Sequence, residues 1–182
     1  MSGTELSVKL REDARRLGLC DQWYNEWKDE TAIQELIDKY KRGLDFCIER
    51  NWPSKAFIRH HFPQNILRTN GILLDDSYSY PIRDKESRRI INIRDFVLLG
   101  ASHATIRYSF RSFVSNAWVR DTSEIKAIIK YGAYLMVHLF DNAKADVFTD
   151  LSSRVVVIKH SRNASVRMEG NVVVKEEYDY ME

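Results

Sequence analysis

A spacing of about ten residues recurs along the C-terminal part of the sequence and constrains the possible folds more than any other feature. Short apolar segments that alternate with polar positions, such as Leu135-x-Val137-x-Leu139, follow small residues at turn-like positions. These small residues lie 10, 10, 10 and 11 positions apart: Ser123, Ala133, Ala143, Ser153 and Ala164. Each shares the parity of the apolar residues after it. The pattern predicts short strands joined by tight turns, with one inward-facing side.

Two architectures produce this spacing. In a β-solenoid each ten-residue unit supplies one strand and one corner, and equivalent corners stack. In an antiparallel β-sandwich or barrel the same spacing reflects a strand plus a hairpin turn. The tail contains neither Asn-Gly nor Asp-Gly, the dipeptides that two-residue hairpins favour, and its small residues keep one parity. The sequence therefore predicts a short single-chain β-solenoid, with the antiparallel sandwich or barrel as the alternative.

The type of apolar residue changes near residue 70. Residues 1–70 contain one valine and residues 71–182 contain twelve, whereas each part has seven leucines. Because β-branched side chains suit strands better than helices, the overall fold class is α+β, with a helical head before the solenoid. The predicted boundaries are a helical head or cap over 1–70, a connector over 71–87, the solenoid over 88–178 and an acidic tail over 179–182.

Local patterns locate three helices in the head and one strand in the tail. Leu6, Leu10, Ala14 and Leu17 form one helical stripe that stops at Gly18. Thr31 to Gln34 matches a capping box at the start of a second helix, and a third is expected between the prolines at 53 and 63. In the tail, residues 104–111 alternate strictly, which predicts that Ala104, Ile106, Tyr108 and Phe110 face the interior.

The sequence contains no recognisable catalytic, metal or cofactor motif. Its seven glycines form no phosphate-binding loop, and its five histidines include no zinc-ligand spacing. His138 and His160 share the outward parity about two units apart, so they should stack on one face of a solenoid, but a third ligand is missing. Most aspartates of the tail occupy expected turns, which argues against a glycosidase pair. The prediction is therefore a non-enzymatic protein with no catalytic residue, no metal and no cofactor.

The outward positions of the tail are unusually apolar. If Leu135 and Val137 face inward, a set of large apolar residues should face outward, and these are Tyr134, Met136, Phe140, Phe148, Val156 and Ile158. Apolar residues on both faces of a strand indicate that the outer face is covered, either by the head or by another chain. These six residues are the candidate interface of a self-associating protein.

Two further surfaces are candidates for binding. Trp23 and Trp27 share a helical face and are a possible aromatic platform, although core packing is the commoner use of such a pair. A basic run precedes the tail and is a possible polyanion site, interrupted by acidic residues: Arg83, Lys85, Arg88, Arg89 and Arg94. The net charge of +2 gives little long-range attraction for nucleic acid.

The head resembles a known type of protein in its cysteine, tryptophan and glycine pattern. The matching residues are Gly18-Leu-Cys20, Trp23, Trp27, Tyr40-x-x-Gly43-x-Asp45-Phe-Cys47 and Pro53-Ser54. They are similar to the head of uncharacterised small bacterial proteins, some carried by phages or other mobile elements, with a helical Cys-x-x-Trp-x-x-x-Trp head and a Val-rich repetitive β tail. The resemblance covers about 60 residues, implies a bacterial or phage setting, and implies no activity or site residues.

Taken as a sequence, the chain is best interpreted as a structural or protein-interaction module that oligomerises or docks a protein partner. Binding of nucleic acid or another polyanion through residues 83–130 is the second hypothesis, and carbohydrate binding or processing is the third. The start of the sequence lacks a basic segment followed by an apolar run, and no apolar stretch is long enough to span a bilayer. We therefore expect a cytoplasmic protein without a membrane partner.

Overall fold

The computed structural model of the chain describes residues 3–29, 32–80, 93–109 and 114–178. The chain divides into two compact units, residues 1–66 and 67–182. The first unit is helical, and the second contains all of the described strands.

Six helices occupy the N-terminal part of the described chain: α1 (Gly3–Arg16), α2 (Asp21–Glu26), α3 (Ile33–Arg42), α4 (Leu44–Glu49), α5 (Lys55–His61) and α6 (Gln64–Thr69). The capping residue at the third helical position of α3 is Glu35 and not the predicted Gln34, because the Glu35 carboxylate accepts the Ala32 backbone N–H over 3.2 Å and the Gln34 amide donates to Asp38 instead. Thr31, the predicted cap, lies outside the described residues. Ser54 caps α5, because its hydroxyl accepts the Phe57 N–H over 3.2 Å.

The helical unit is built around an aliphatic cluster flanked by aromatic rings. Leu6, Leu10 and Leu36 are buried together, and four partly buried aromatic residues pack against them, namely Trp27, Trp52, Phe57 and Phe62. The predicted stripe of α1 is confirmed for its first three residues, whereas Leu17 lies just beyond the helix and is exposed.

The second unit is a β-solenoid of two parallel sheets. Sheet A has the order β1 (Ile72–Leu74), β3 (Asp95–Leu99), β5 (Val114–Val119), β7 (Tyr134–Leu139), β9 (Arg154–Lys159) and β11 (Val172–Glu176). Sheet B has the order β10 (Ser165–Glu169), β8 (Lys144–Thr149), β6 (Glu124–Lys130), β4 (His103–Ser109) and β2 (Ser77–Ser79). Every strand pair within these sheets is parallel. The predicted solenoid is confirmed, and the antiparallel sandwich or barrel is excluded.

The ten-residue spacing corresponds to half a coil. Along sheet A, Trp118 pairs with His138 and His138 with Ile158, so that equivalent positions lie 20 residues apart. The chain therefore visits sheet A and sheet B alternately. The small residues are buried at the two corners, with Ser123, Ala143 and Ala164 where the chain passes from A to B, and Ala133 and Ser153 where it returns.

The core of the solenoid lies between the two sheets and is almost entirely apolar. In β4, the predicted inward residues Ala104, Ile106 and Tyr108 are all buried, while Phe110 lies outside the described residues. The first two strands, β1 and β2, fall within the predicted connector over 71–87, so strand pairing begins earlier than the alternation of the sequence indicated. Those strands have only three residues each, which is too short to show a period of two.

Turn carboxylates connect successive coils at the A-to-B corner. Asp121 and Asp141 both adopt positive φ, the left-handed conformation that Asp tolerates in turns. The Asp141 carboxylate accepts the Asp121 backbone N–H over 3.0 Å, and the Asp121 carboxylate accepts the Gly100 N–H over 2.7 Å. Each carboxylate thereby binds the turn of the coil before it.

At the B-to-A corner an aspartate carboxylate likewise accepts a backbone hydrogen bond from the preceding coil. The Asp150 carboxylate accepts the Tyr131 backbone N–H over 2.7 Å from the preceding coil. This bond, with further bonds from Ser152 and Ser153, lowers the pKa of Asp150 to about 2, against an unfavourable contribution from desolvation. The Asp residues assigned to turns from sequence thus satisfy backbone donors.

Candidate interaction surfaces

Much of the outer face of sheet A is buried. The outward-facing side chains with little or no exposed surface are Val97, Leu99, Trp118, Arg120, Phe140, Val156, Ile158 and His160, whereas outward-facing Val114 is 57% exposed. Phe140 has 0% exposure. These strands therefore bury apolar residues on both of their faces.

A stack of aromatic rings runs along this face. The Trp118 and His138 rings are parallel with centroids 4.1 Å apart, and Phe140 and His160 stack at 4.4 Å. The two histidines also meet, with His138 Nδ1 lying 3.0 Å from His160 Nε2. The sequence prediction that they stack on one face is confirmed.

The hydrogen bonds of the histidine pair assign its tautomers. His160 Nδ1 lies 3.2 Å from the Glu177 carbonyl oxygen, an obligate acceptor, so this nitrogen carries the proton. In the neutral ring Nε2 of His160 is then an acceptor, and His138 Nδ1 donates to it. Burial, followed by the proximity of His160, lowers the pKa of His138 to about 4, so both rings are neutral at pH 7.

The six predicted interface residues do not form one exposed strip. Phe140, Val156 and Ile158 are buried on the outer face of sheet A, as described above. Tyr134 and Met136 are half-buried on that same face, and Phe148 is half-buried on the outer face of sheet B. The alternation of the strands between two sheets, which sequence parity does not show, separates Phe148 from the others.

The outer face of sheet B is polar and accessible. Register places two rows of side chains side by side across its strands. One row contains Ser77, His103, Glu124, Lys144 and Ser165, and the next contains Ser79, Thr105, Lys126, Asp146 and Arg167. Within each row the residues lie about 4.8 Å apart, which is the usual spacing of paired strands.

A shallow groove lies along these two rows. Ser77, Tyr78 and Ser79 line it at the β2 end, while Lys144 and Asp146 line it at the β8 end. Between them are side chains of β4 and β6, namely His103, Thr105, Glu124 and Lys126, with the backbone of their neighbours. The groove therefore crosses four strands and follows the long direction of the sheet.

The first row of the groove contains an ion pair and a histidine contact. Glu124 accepts from Lys144 over 2.8 Å and lies 3.5 Å from His103 Nδ1. The hydrogen bond from Lys144 lowers the pKa of Glu124, and the interaction with His103 acts in the same direction. Such exposed contacts contribute little to stability.

The second row presents polar groups that do not bond to one another. Asp146 and Lys126 are exposed, and the carboxylate of Asp146 makes no hydrogen bond or ion pair with the described residues. The Lys126 ammonium lies 5.6 Å above the Phe148 ring instead. Both groups are accessible from solvent.

The edge of sheet B at β10 is a second accessible surface. Among the described strands, β10 pairs only with β8, and its other side has no strand neighbour. Met168 on this strand is 54% exposed, although its parity places it with the inward-facing residues. Its neighbours Arg167 and Glu169 are exposed and face outward.

The remaining predicted site residues are dispersed. Trp27 packs at 6.4 Å from Trp52 and donates its indole N–H to Ser7 over 3.1 Å, so it belongs to the helical core. Trp23 is 37% exposed, with the Arg42 guanidinium 5.5 Å from its ring. Of the basic run, Arg94 is exposed, and the other four members lie outside the described residues.

No group of three or more His, Cys, Asp or Glu in the described part of the chain is arranged to hold a metal ion. None of the helices in the described ranges combines the length and the apolar character needed to cross a bilayer. Comparison with known proteins found no matching family model, curated protein or solved structure.

Sequence reasoning missed the groove and the β10 edge. Glu124 and Lys144 lie 20 residues apart, and only the coil length brings them into contact. A signal was available, since outward positions separated by two ten-residue units carry opposite charges at 124 and 144 and again at 126 and 146.

Proposed function

We propose that this protein is a non-enzymatic interaction module that self-associates by pairing the β10 edges of two copies. The observation that carries the proposal is the order of residues along that edge. Exposed Arg167 and Glu169 flank exposed Met168, so β10 is complementary to itself when run antiparallel.

The complementarity follows from strand geometry. In an antiparallel pair centred on residue 168, Arg167 of one copy lies opposite Glu169 of the second copy, and the reverse contact occurs as well. Twofold symmetry thus produces two opposite-charge contacts from one strand. The two Met168 side chains then meet on the inward side, where each is now exposed at the end of the core.

An unpaired edge strand also requires protection. Its backbone N–H and C=O groups form a template for pairing with another chain, and natural proteins cover, charge or pair such edges. The burial of Phe140, Val156 and Ile158 supports this choice of surface, because these three predicted interface residues are at most 7% exposed.

Light scattering after gel filtration tests the proposal directly. The chain has a mass of 21.4 kDa, and we expect the wild type to elute with twice that mass at high concentration. Arg167→Glu and Glu169→Arg each place like charges opposite each other twice, so each variant should weaken the dimer at least about tenfold. The double variant restores opposite charges and should restore the dimer.

Lys130→Glu is the matched control, because Lys130 is an exposed residue of β6, an internal strand of the same sheet. It should leave the mass unchanged. A wild type that stays monomeric at every concentration contradicts the proposal, as does a double variant that is no closer to the dimer than either single one.

A further inference from the structure

We infer that the self-associating surface includes β11 as well as β10, so that two copies join end to end into one continuous solenoid. This inference rests on the proposed pairing of the β10 edges and adds the last strand of sheet A to it. It depends on the position of the symmetry axis, the free edge of β11 and the valines of that strand.

The symmetry axis of the β10 pair passes through both sheets. In an antiparallel pair of identical strands the twofold axis is perpendicular to the sheet, and for β10 it passes beside Met168. Sheet A stacks on sheet B at the usual separation of about 10 Å, so the same axis continues into sheet A. Met168 lies two residues before the Gly170–Asn171 corner, and Val173 lies two residues after it. The axis therefore reaches sheet A close to Val173 and places the two β11 edges against each other, again antiparallel.

The outer edge of β11 is available for this pairing. Among the described strands, β11 pairs only with β9. The Asn171 carbonyl oxygen and the Glu177 N–H both bond to β9. Because the backbone groups of successive residues point to opposite sides of a strand, the N–H of Val174 points away from β9. It is directed to the edge that has no described strand neighbour.

The valines of β11 are complementary to themselves. In an antiparallel pair centred on Val173, Val172 of each copy lies opposite Val174 of the second copy, so the contact is apolar. Val172 and Val174 face the core, and with Val166 of β10 they are only partly buried. Met168, on the same open end, is 54% exposed. Pairing at both edges covers these four inward-facing side chains and joins the two apolar cores into one.

Gel filtration with light scattering of Val174→Pro tests the contribution of β11. Proline removes the N–H and blocks the free edge but leaves the bonds to β9, and for this reason edge strands accept it. The dimer loses the hydrogen bond from Val174 to Val172 of the second copy, and its symmetric equivalent, so we expect it to weaken at least about tenfold.

Ser79→Pro is the matched control. Ser79 is an exposed residue of β2, the edge strand at the other end of sheet B. The N–H of Tyr80 bonds to the Thr105 carbonyl oxygen of β4, so the N–H of Ser79 points to the free edge. This variant should dimerise as the wild type does.

Hydrogen exchange of the wild type, followed by mass spectrometry, gives a second measurement that needs no variant. Raising the protein concentration through the range of dimerisation should slow amide exchange in both 165–169 and 172–176. The circular dichroism spectrum of dilute Val174→Pro should match that of the dilute wild type, which separates a blocked edge from a misfolded chain.

The outcomes distinguish this inference from the proposed function. If exchange slows only in 165–169, or if Val174→Pro dimerises as strongly as the wild type, the inference is overturned while the pairing of β10 stands. A wild type that is monomeric at every concentration overturns both.

Discussion

The buried histidine pair makes the stability of the solenoid depend on pH in a defined window. An unfolded histidine has a pKa of 6.5, whereas burial lowers the pKa of His138 in the folded chain to about 4. Between these values the unfolded state binds the additional proton. Keeping the His138 ring neutral therefore costs no free energy of unfolding above pH 6.5, and the free energy of unfolding falls as the pH drops from 6.5 towards 4.

The size of the loss follows from the gap between the two pKa values. At about 1.4 kcal/mol for each pH unit, the free energy of unfolding should fall by about 2 kcal/mol between pH 7 and pH 5, and by about 3 kcal/mol by pH 4. That is a large fraction of the total stability of a typical domain, which is about 5–15 kcal/mol.

The matched variant is His138→Phe, which keeps a flat ring against Trp118 and cannot titrate. It loses the hydrogen bond to His160, so at pH 7 we expect it to be about 1 kcal/mol less stable than the wild type. Carboxylates titrate in both proteins, and the measured quantity is therefore the difference in unfolding free energy between wild type and variant.

Urea unfolding followed by tryptophan fluorescence, repeated at several pH values from 7 to 4, measures that difference. The wild type should lose its advantage near pH 6 and become the less stable protein by pH 5. Parallel stability curves for the two proteins over this range would refute the reasoning, because they would mean that His138 does not gain a proton on unfolding.

Two further predictions concern the backbone and the thiols. Gly170→Ala should lower the unfolding midpoint more than Gly18→Ala. Both glycines have φ near +95°, but of the two only Gly170 lies where an added Cβ would clash with the Thr149 carbonyl oxygen. Equal effects of the two substitutions would contradict the clash. In the native protein a thiol reagent should label Cys20, which is exposed, and should not label Cys47, because burial raises the pKa of Cys47 to about 12. Mass spectrometry of the labelled peptides should show one modified site, and rapid labelling of Cys47 would contradict its burial.

The architecture of the tail was predictable because its determinants are local and repeated. A small residue fits at each corner, and inward parity is kept from Leu135 to Val157, so the spacing together with the constant parity favoured stacked strands over hairpins. The stacking of His138 on His160 followed from the same count. These features depend only on distance along the chain.

The accessible surfaces were not predictable, because they depend on which face becomes covered. Parity assigned Phe140 and Phe148 alike to the outside, yet one is buried on sheet A and the other half-buried on sheet B. Likewise Met168 reads as an inward residue, and only its position on the last strand of sheet B leaves it exposed.

The carboxylates at the A-to-B corner allow the number of coils to change without a change in how neighbouring coils are joined. Asp121 and Asp141 accept equivalent hydrogen bonds from the preceding turn at an offset of 20 residues. Each of these coils therefore contains the residue that bonds it to the coil before it. Because each repeat of a solenoid contacts only its neighbours, we expect that one such coil can be duplicated or lost while the same hydrogen bonds join the remaining coils. Each added coil would extend the outer face of sheet B by one strand, so the reach of this surface can evolve in steps of one strand spacing.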